Sequence, residues 1–273
     1  MKLSISAIAW DPSEDIGVAA YLKTLGVTGV ETVPPRIVLT PKDKLVKSCK
    51  SYLAMWEANG IALSSMQALL FGHPEFSLFE SESSRTVMLN FLQQVFTAGE
   101  LLGVKRYVFG SPKNRLKREL PYTSAFQTAT GFFRSAAVAA HKHGGCLCIE
   151  ANPSMYGCDF ITTSEEAAQL TRAVKHPGFG LHLDTGGIHL AKDDPVEIVK
   201  KYGAEVKHFH ISAPNLDPIY DYDSNLRLKE TLNALKNTGY SDHVSIEMKK
   251  AADGDWKTHL KKAVTMVQAA IRF

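Results

Sequence analysis

The feature that most constrains the fold is a regular alternation of short β-like runs with amphipathic helical runs. It continues along the chain of 273 residues. The predicted strands are residues 2–10, 27–33, 61–69, 104–111, 145–153, 180–185, 206–212 and 243–249. The predicted helices are residues 15–26, 43–60, 86–103, 124–144, 164–174, 194–203, 225–239 and 255–273. Because each helix carries the chain back across the sheet, this alternation requires parallel strands.

Two architectures have parallel strands in this order, an open doubly wound sheet and a closed (β/α)₈ barrel. A count of eight strand–helix pairs favours the barrel, and the chain length is ordinary for one. No G-x-G-x-x-G turn follows a predicted strand, which weakens the case for the dinucleotide-binding sheet. We therefore predict an α/β protein made of one (β/α)₈ TIM-barrel domain over residues 1–273.

The composition excludes some classes of function and favours a cytoplasmic protein. The net charge of +3 is too small to indicate binding to nucleic acid or to a membrane surface. The four cysteines form no C-x-x-C pair, and free thiols in the core are the favoured interpretation. There is no signal-peptide pattern and no apolar run of transmembrane length. The sequence leaves the oligomeric state open, a homo-oligomer included.

Polar side chains end four consecutive predicted strands. Strand six reads LHLD and ends in a carboxylate, Asp184, which is costly in a core unless it has a function. The other three strands end in CLCIE with Glu150, HFHIS with His210 and VSIE with Glu247. Active sites of such barrels lie at the carboxyl ends of the strands. We therefore expect these four side chains to meet at one end of the barrel.

The alternation of side chains along a strand sets their direction. If these four side chains face the barrel axis, the residues just before them face the helices. Those residues are all large and apolar: Ile149, Leu183, Phe209 and Ile246. One layer below the four polar ends lie Cys148, His182, His208 and Ser245. From His208 and Ser245 we expect hydrogen bonds that support the carboxylates above them.

Three carboxylates on one axis cannot all stay ionised without a cation. The sequence therefore predicts a divalent metal held by Glu150, Asp184, His210 and Glu247. Three carboxylates with one imidazole suit Mn²⁺, Mg²⁺ or Co²⁺, and Zn²⁺ is less favoured because the set lacks a thiolate. We expect the two glycines after Asp184 to let the backbone turn tightly beside the site.

Other polar residues near strand ends are candidates for holding the substrate. In the stretch GSPKNR, backbone amides together with Lys113 and Arg115 suit an anionic group, although a solvated basic loop is an equal alternative. Asn152 follows Glu150 by two residues. Its side chain is explained equally well by a hydrogen bond to a substrate hydroxyl and by a turn before Pro153. The predicted substrate contacts are Lys113, Arg115, Asn152, His182 and Gln67.

The set of Glu150, Asp184, His210 and Glu247 resembles the metal site of the xylose isomerase-like TIM-barrel superfamily. The closest pattern is that of its sugar (phosphate) isomerase/epimerase branch, which includes D-tagatose 3-epimerase. GVTGVET (26–32) resembles the second strand of the family and VKHFHIS its seventh. The resemblance implies that Glu150 and Glu247 both bind the metal and act as acid and base on opposite faces of the substrate.

Two positions depart from the ketohexose epimerases of this branch. Gly187 stands where they carry a histidine, and SAPNLD (212–217) lacks the arginine that follows their strand-seven histidine. Those family residues hold substrate oxygens, so the departures weaken the case for a free ketohexose. The endonuclease IV branch is less similar, because it needs further histidines from strands three and four, where this chain has Gln67 and FGS (109–111).

These observations predict a metal-dependent sugar isomerase or epimerase. A metal chelated by a carbonyl and the adjacent hydroxyl acidifies the C–H between them, so that one carboxylate removes the proton and the other returns it. The main alternative is a dehydratase of an inosose or a keto-acid sugar derivative, in which the same enediolate expels a β-hydroxyl. A phosphodiesterase like endonuclease IV and a barrel that only binds a metal are weaker alternatives.

Overall fold

The computed structural model describes residues 1–37, 39, 41–222 and 227–271. Eight parallel strands form a closed barrel in chain order, β1 to β8, as the alternation predicts. Their bounds are β1 Lys2–Ser6, β2 Gly29–Thr32, β3 Ala62–Met66, β4 Arg106–Phe109, β5 Cys146–Glu150, β6 Phe179–Asp184, β7 Val206–Ser212 and β8 His243–Glu247. The TIM-barrel prediction is therefore confirmed.

Helices cover the outside of the barrel. In the described part of the chain they are α1 Asp15–Thr24, α2 Lys42–Glu57, α3 Glu82–Leu102, α4 Tyr122–Lys142, α5 Ser164–Val174, α6 Thr185–Leu190, α7 Pro195–Tyr202, α8 Leu228–Asn237 and α9 Trp256–Ile271. The predicted helices are all present within a few residues, except that the start of the one at 225–239 and the last two residues of the one at 255–273 lie outside the described residues. Helix α6 was not predicted, and it begins directly after Asp184.

The core lies between the barrel and its helices. The apolar residues that precede the four polar strand ends are almost inaccessible, with 0% exposure for Ile149, Phe209 and Ile246 and 1% for Leu183. They belong to one continuous hydrophobic cluster with residues of the surrounding helices. This burial agrees with the predicted alternation, in which the neighbouring polar residues face the barrel axis.

The strands are staggered around the barrel. Glu150 pairs in register with His182 on β6, Asp184 pairs with His210 on β7, and Glu247 pairs with Ser212. Tilted strands in a closed barrel require such a stagger. His182 therefore lies beside Glu150, rather than in a separate layer below it.

Two further expectations concern cysteines and membranes. The four cysteines are free and buried, as predicted for core thiols. Within the described ranges, no helix combines the length and the apolar character needed to cross a bilayer.

Candidate metal centre

Asp184 ends β6 and also caps the short helix α6. One of its oxygens, Oδ1, accepts hydrogen bonds from Gly186 N at 2.6 Å, Gly187 N at 3.1 Å and Ser212 Oγ at 2.5 Å. These donors fix the carboxylate in one orientation and leave Oδ2 for another partner. Ser212, which sequence reasoning missed, follows His210 by two residues on β7, and this spacing was the available signal.

The two glycines after Asp184 do not form the tight turn that we expected. Both lie in helix α6, and neither needs a positive φ. A side chain on Gly186 would collide with Ser212 Oγ and with the backbone of Ala213. Gly186 is therefore required by the close approach of α6 to the end of β7, and this packing also brings its N–H to Asp184.

His210 lies between two carboxylates. Its Nδ1 is 3.2 Å from Glu247 Oε2, and its Nε2 is 2.8 Å from Glu31 Oε2, although the second contact is too oblique for a good hydrogen bond. Burial lowers the pKa of His210, but Glu31 and Glu247 outweigh it and raise the pKa well above its usual value. Because Glu31 favours the proton on Nε2, Nδ1 is the nitrogen that suits a metal.

Glu31 on β2 is a buried carboxylate that sequence reasoning missed. It has 0% exposure, and its Oε1 is 2.9 Å from His208 Nε2. Burial raises the pKa of Glu31, but His210 and His208 outweigh it and hold the pKa well below its usual range. The available signal was a single carboxylate in the apolar strand GVETV, the same signal that singled out Asp184.

The residues expected to support the ligand carboxylates contact Glu31 instead. His208 approaches Glu31 Oε1, and Ser245 Oγ donates to Glu31 Oε2 at 3.4 Å. In the structure these hydrogen bonds thus go to Glu31, and a supporting role of His208 and Ser245 toward the carboxylates at the strand ends stays a prediction. Glu31, the partner that they share, lies 2.8 Å from His210 Nε2. His208 and Ser245 therefore influence His210 only through Glu31.

The side chain of Glu150, at the end of β5, is 13% exposed, and its carboxylate repels those of its neighbours. Burial, followed by the charges of Asp184 and Glu247, raises the pKa of Glu150 to about 8. Gly110, just after β4, leaves room for this group, since a Cβ at that position would collide with Glu150 Oε2. Burial also raises the pKa of Glu247, while His210 lowers it and Asp184 adds to the rise.

Neither ring nitrogen of His182 has a hydrogen-bond partner in the described part of the chain, although the residue is only 1% exposed. Burial, together with His210 and His208, lowers the pKa of His182 well below its usual value. The ring is therefore neutral near pH 7 and offers one lone pair and one N–H. A buried polar side chain with both nitrogens unpartnered is rare in folded proteins and indicates a missing partner.

The structure brings three of the four predicted metal ligands into one group, with His182 as an additional member. Potential ligand atoms of Glu150, His182, Asp184 and His210 all lie within 4.8 Å of one another. Glu247 lies outside this group but contacts His210. Oxygen and imidazole donors, mutual repulsion between carboxylates and an unpartnered imidazole all fit a divalent cation.

The residues predicted to contact the substrate differ in exposure and in position. Lys113 is exposed, whereas Arg115 has 0% exposure and donates from Nη2 to the backbone oxygen of Glu150 at 2.7 Å. The solvated-loop interpretation is thus wrong for Arg115. Asn152 is buried and donates to Ala151 O at 3.2 Å.

Gln67 lies on the other side of the barrel, at the end of β3, and donates from Nε2 to Ser6 Oγ at 2.7 Å. Substrate contacts of Lys113, Arg115, Asn152, His182 and Gln67 stay predictions.

A comparison with protein families decides the lineage of this barrel. A family model described as xylose isomerase-like TIM barrel matches residues 19–270. The chain belongs to this family. The resemblance drawn from the strand ends is therefore confirmed.

Several solved structures share the fold of the chain at low sequence identity. D-psicose 3-epimerase from Clostridium cellulolyticum H10, crystallised with D-tagatose, superimposes with a TM-score of 0.81 at 15% identity, and the match covers 99% of both chains. The 3-keto-D-glucoside 4-epimerase of E. coli gives 0.77 at 14% identity over 98% of this chain and 99% of the other.

A sugar phosphate isomerase/epimerase from Parabacteroides distasonis ATCC 8503 gives a TM-score of 0.73 at 16% identity. That match covers 98% of this chain and 94% of the other. At such identities the likeness shows a shared fold. Among curated protein sequences, no match was found.

Proposed function

We propose that this protein is a divalent-metal-dependent isomerase or epimerase of a sugar or sugar derivative. The observation that carries the proposal is a pair of half-buried carboxylates with raised pKa values, Glu150 on β5 and Glu247 on β8. They flank the two strands that carry Asp184 and His210. Two groups able to exchange a proton thus border one candidate metal centre.

In this proposal the metal is held by Glu150, Asp184, His210 and Glu247. Bound there, a divalent cation acts as a Lewis acid that acidifies the C–H between a carbonyl and its neighbouring hydroxyl. The protein prepares the site by orienting Asp184 through Gly186, Gly187 and Ser212 and by orienting His210 through Glu31. Such oriented ligands lose less freedom on binding.

The two glutamates perform the proton transfers. One carboxylate removes the proton from the substrate carbon and leaves an enediolate, and the other returns a proton from the opposite face, which inverts the centre. A carboxylate whose pKa is raised toward neutrality is a stronger base than an ordinary glutamate and still ionises at physiological pH. The pKa of about 8 for Glu150 places it in that range before a cation lowers it.

The substrate class is supported by the names of solved structures that have the same fold. The structures that superimpose on the chain are named for D-psicose, 3-keto-D-glucoside and sugar phosphate. Gly187 and the arginine-free stretch 212–217 favour a sugar derivative over a free ketohexose. The free and buried cysteines fit the reducing cytoplasm that we propose as its location.

Solvent-proton exchange tests the proposal. The protein would be loaded with Mn²⁺ and incubated in D₂O with a panel of ketoses, keto-glycosides, sugar phosphates and inososes. We expect deuterium at one carbon next to a carbonyl, with formation of the epimer or isomer. Loss of water from the product would instead identify the dehydratase. Absence of deuterium from every member of the panel would overturn the enediolate mechanism.

A further inference from the structure

The inference concerns His182 on β6, and it rests on the metal centre of the proposed function. His182 belongs to the group of potential ligands with Glu150, Asp184 and His210, whereas Glu247 does not. The strand register explains its presence. Glu150 pairs with His182, so the two side chains leave the sheet side by side, and Asp184 follows on the same face of β6.

The geometry of His182 matches that of a metal ligand. Its Nε2 lies 3.8 Å from Glu150 Oε1, and its ring packs edge-to-face on His210 with centroids 4.2 Å apart. Atoms that bind one cation at about 2.0–2.2 Å are separated from each other by roughly 3–4 Å. The separation of Nε2 from Oε1 falls in this range, and it is too long for a direct hydrogen bond.

The chemistry of the ring points the same way. Among the described residues, neither of its nitrogens has a hydrogen-bond partner, and the side chain is fully buried. A buried imidazole with unpartnered nitrogens beside two carboxylates is a usual metal ligand.

His208 provides a contrast in the same row of the barrel. It pairs in register with His182, and their rings stack with centroids 5.4 Å apart. Its Nε2, however, is 2.9 Å from Glu31 Oε1, so this ring already has a carboxylate partner. A second potential group, made of His182, His208 and His210, contains no carboxylate to balance a dication. The group with Glu150 and Asp184 is therefore the favoured one.

We propose that His182 binds the metal through Nε2 while no substrate is bound, so that the centre then contains two imidazoles, those of His182 and His210, and that a chelating substrate displaces His182. Imidazole nitrogen suits Co²⁺, Ni²⁺ and Zn²⁺ better than Mn²⁺ and Mg²⁺, which prefer oxygen. The additional ligand therefore shifts the preference of this site toward Co²⁺ and Zn²⁺, compared with a site that has a single imidazole.

Proton NMR of the full-length protein loaded with Co²⁺ counts the imidazole ligands directly. The paramagnetic ion shifts the ring N–H protons of bound histidines far outside the normal spectrum, and they disappear in D₂O. We expect two such signals in the wild-type protein and one in His182→Ala. A single signal in the wild type with one Co²⁺ bound per chain would overturn the proposal. Failure to bind Co²⁺ at all would overturn the proposed metal-dependent function with it.

Metal selectivity gives a second measurement with a matched control. His182→Gln should lose about 10- to 100-fold in affinity for Co²⁺ and Zn²⁺ and much less for Mn²⁺. His208→Gln removes a buried imidazole from the same row, yet it should keep the ratio of Co²⁺ to Mn²⁺ affinity and both shifted signals. Equal ratios in the two variants would contradict the role of His182. The wild-type signal count needs no variant, so it decides the matter even if a substitution prevents folding.

Discussion

The two halves of the barrel, β1–β4 and β5–β8, differ in how their inward-facing polar groups are paired. Strands β1 and β3 carry neutral side chains that satisfy one another: Ser4 Oγ lies 2.7 Å from Ser64 Oγ, and Gln67 donates to Ser6 at 2.7 Å. Strands β5 to β8 carry carboxylates and imidazoles, with two unpartnered nitrogens on His182 and a pKa of about 8 on Glu150. The neutral groups in the first half hydrogen-bond to one another, whereas the charged and unpartnered groups in the second half fit a bound cation.

Glu31 is the exception that connects the two halves. It belongs to β2, yet its carboxylate contacts His208 and His210 on β7. A carboxylate from the β1–β4 half thus contacts His210, a proposed metal ligand, in the β5–β8 half. The comparison teaches that the site is defined by which groups face each other across the barrel, and less by which strands carry them.

The largest effect is expected for the two glutamates that border the centre. Glu150→Gln and Glu247→Gln keep the size of the side chain and one oxygen ligand but remove a base. Each should retain metal and lose about 10²-fold or more in turnover. Steady-state kinetics and metal analysis of the purified variants measure both properties.

Asp184→Asn is the matched control for these two variants. It should weaken metal affinity first, and excess metal should partly restore its activity. If excess metal also restored Glu150→Gln and Glu247→Gln fully, both glutamates would be ligands only, and the two-base mechanism would be wrong.

The next largest effect is expected for Glu31, the carboxylate of β2 that contacts β7. Glu31→Gln removes the charge that faces His208 and His210 and should lower metal affinity by about 10- to 100-fold, as losses of ligand-orienting partners do. Ser65→Ala is the control, because Ser65 pairs in register with Glu31 and has no contact with the histidines among its hydrogen bonds. Titration calorimetry with Mn²⁺ measures both variants. An unchanged affinity in Glu31→Gln would confine the site to β5–β8.

A third prediction concerns the stability of the metal-free protein as a function of pH. The pKa of Glu150 is about 8 in the folded state and about 4.3 in an unfolded chain. Its contribution to stability is therefore present below pH ~4.3 and is lost as the pH rises to about 8. Between pH 6 and pH 8.5 we expect a loss of ~1–3 kcal/mol, which lowers Tm by about 2–5 °C.

Thermal denaturation with EDTA measures this loss, with Glu150→Gln as the control. The variant has no carboxylate to ionise, so its Tm should fall less over the same range of pH. Added Mn²⁺ should restore more stability at pH 8.5 than at pH 6, because the cation competes with a proton at low pH. A parallel pH dependence in the two proteins would show that Glu150 is not the group responsible.

The smallest effect is expected in the β1–β4 half of the barrel. Ser64→Ala removes the hydroxyl that contacts Ser4 Oγ at 2.7 Å and Val30 O at 3.2 Å. We expect a loss of about 1 kcal/mol in unfolding free energy, typical of one hydrogen bond, and metal affinity within about twofold of wild type. Chemical denaturation and metal titration measure the two quantities. A tenfold change in metal affinity would show that the two halves are coupled through more than Glu31.

The sequence by itself determined the barrel and the direction of the strand ends. Both follow from local regularities, because the alternation of strands with helices forces parallel pairing and the period of two sends Ile149 and Glu150 to opposite faces. The same regularities singled out Asp184 and His210, which the structure places in one group. A charge in an apolar strand is visible without any knowledge of its neighbours.

The tertiary structure decided the partners of these residues. Closure of the barrel brings Glu31 to His208 across 177 positions of the chain, and the stagger of tilted strands places His182 beside Glu150. Packing of the 112–115 turn buries Arg115 against the backbone of Glu150, which no local pattern indicates. Such contacts depend on shear and on long-range packing, and a sequence read strand by strand contains no record of either.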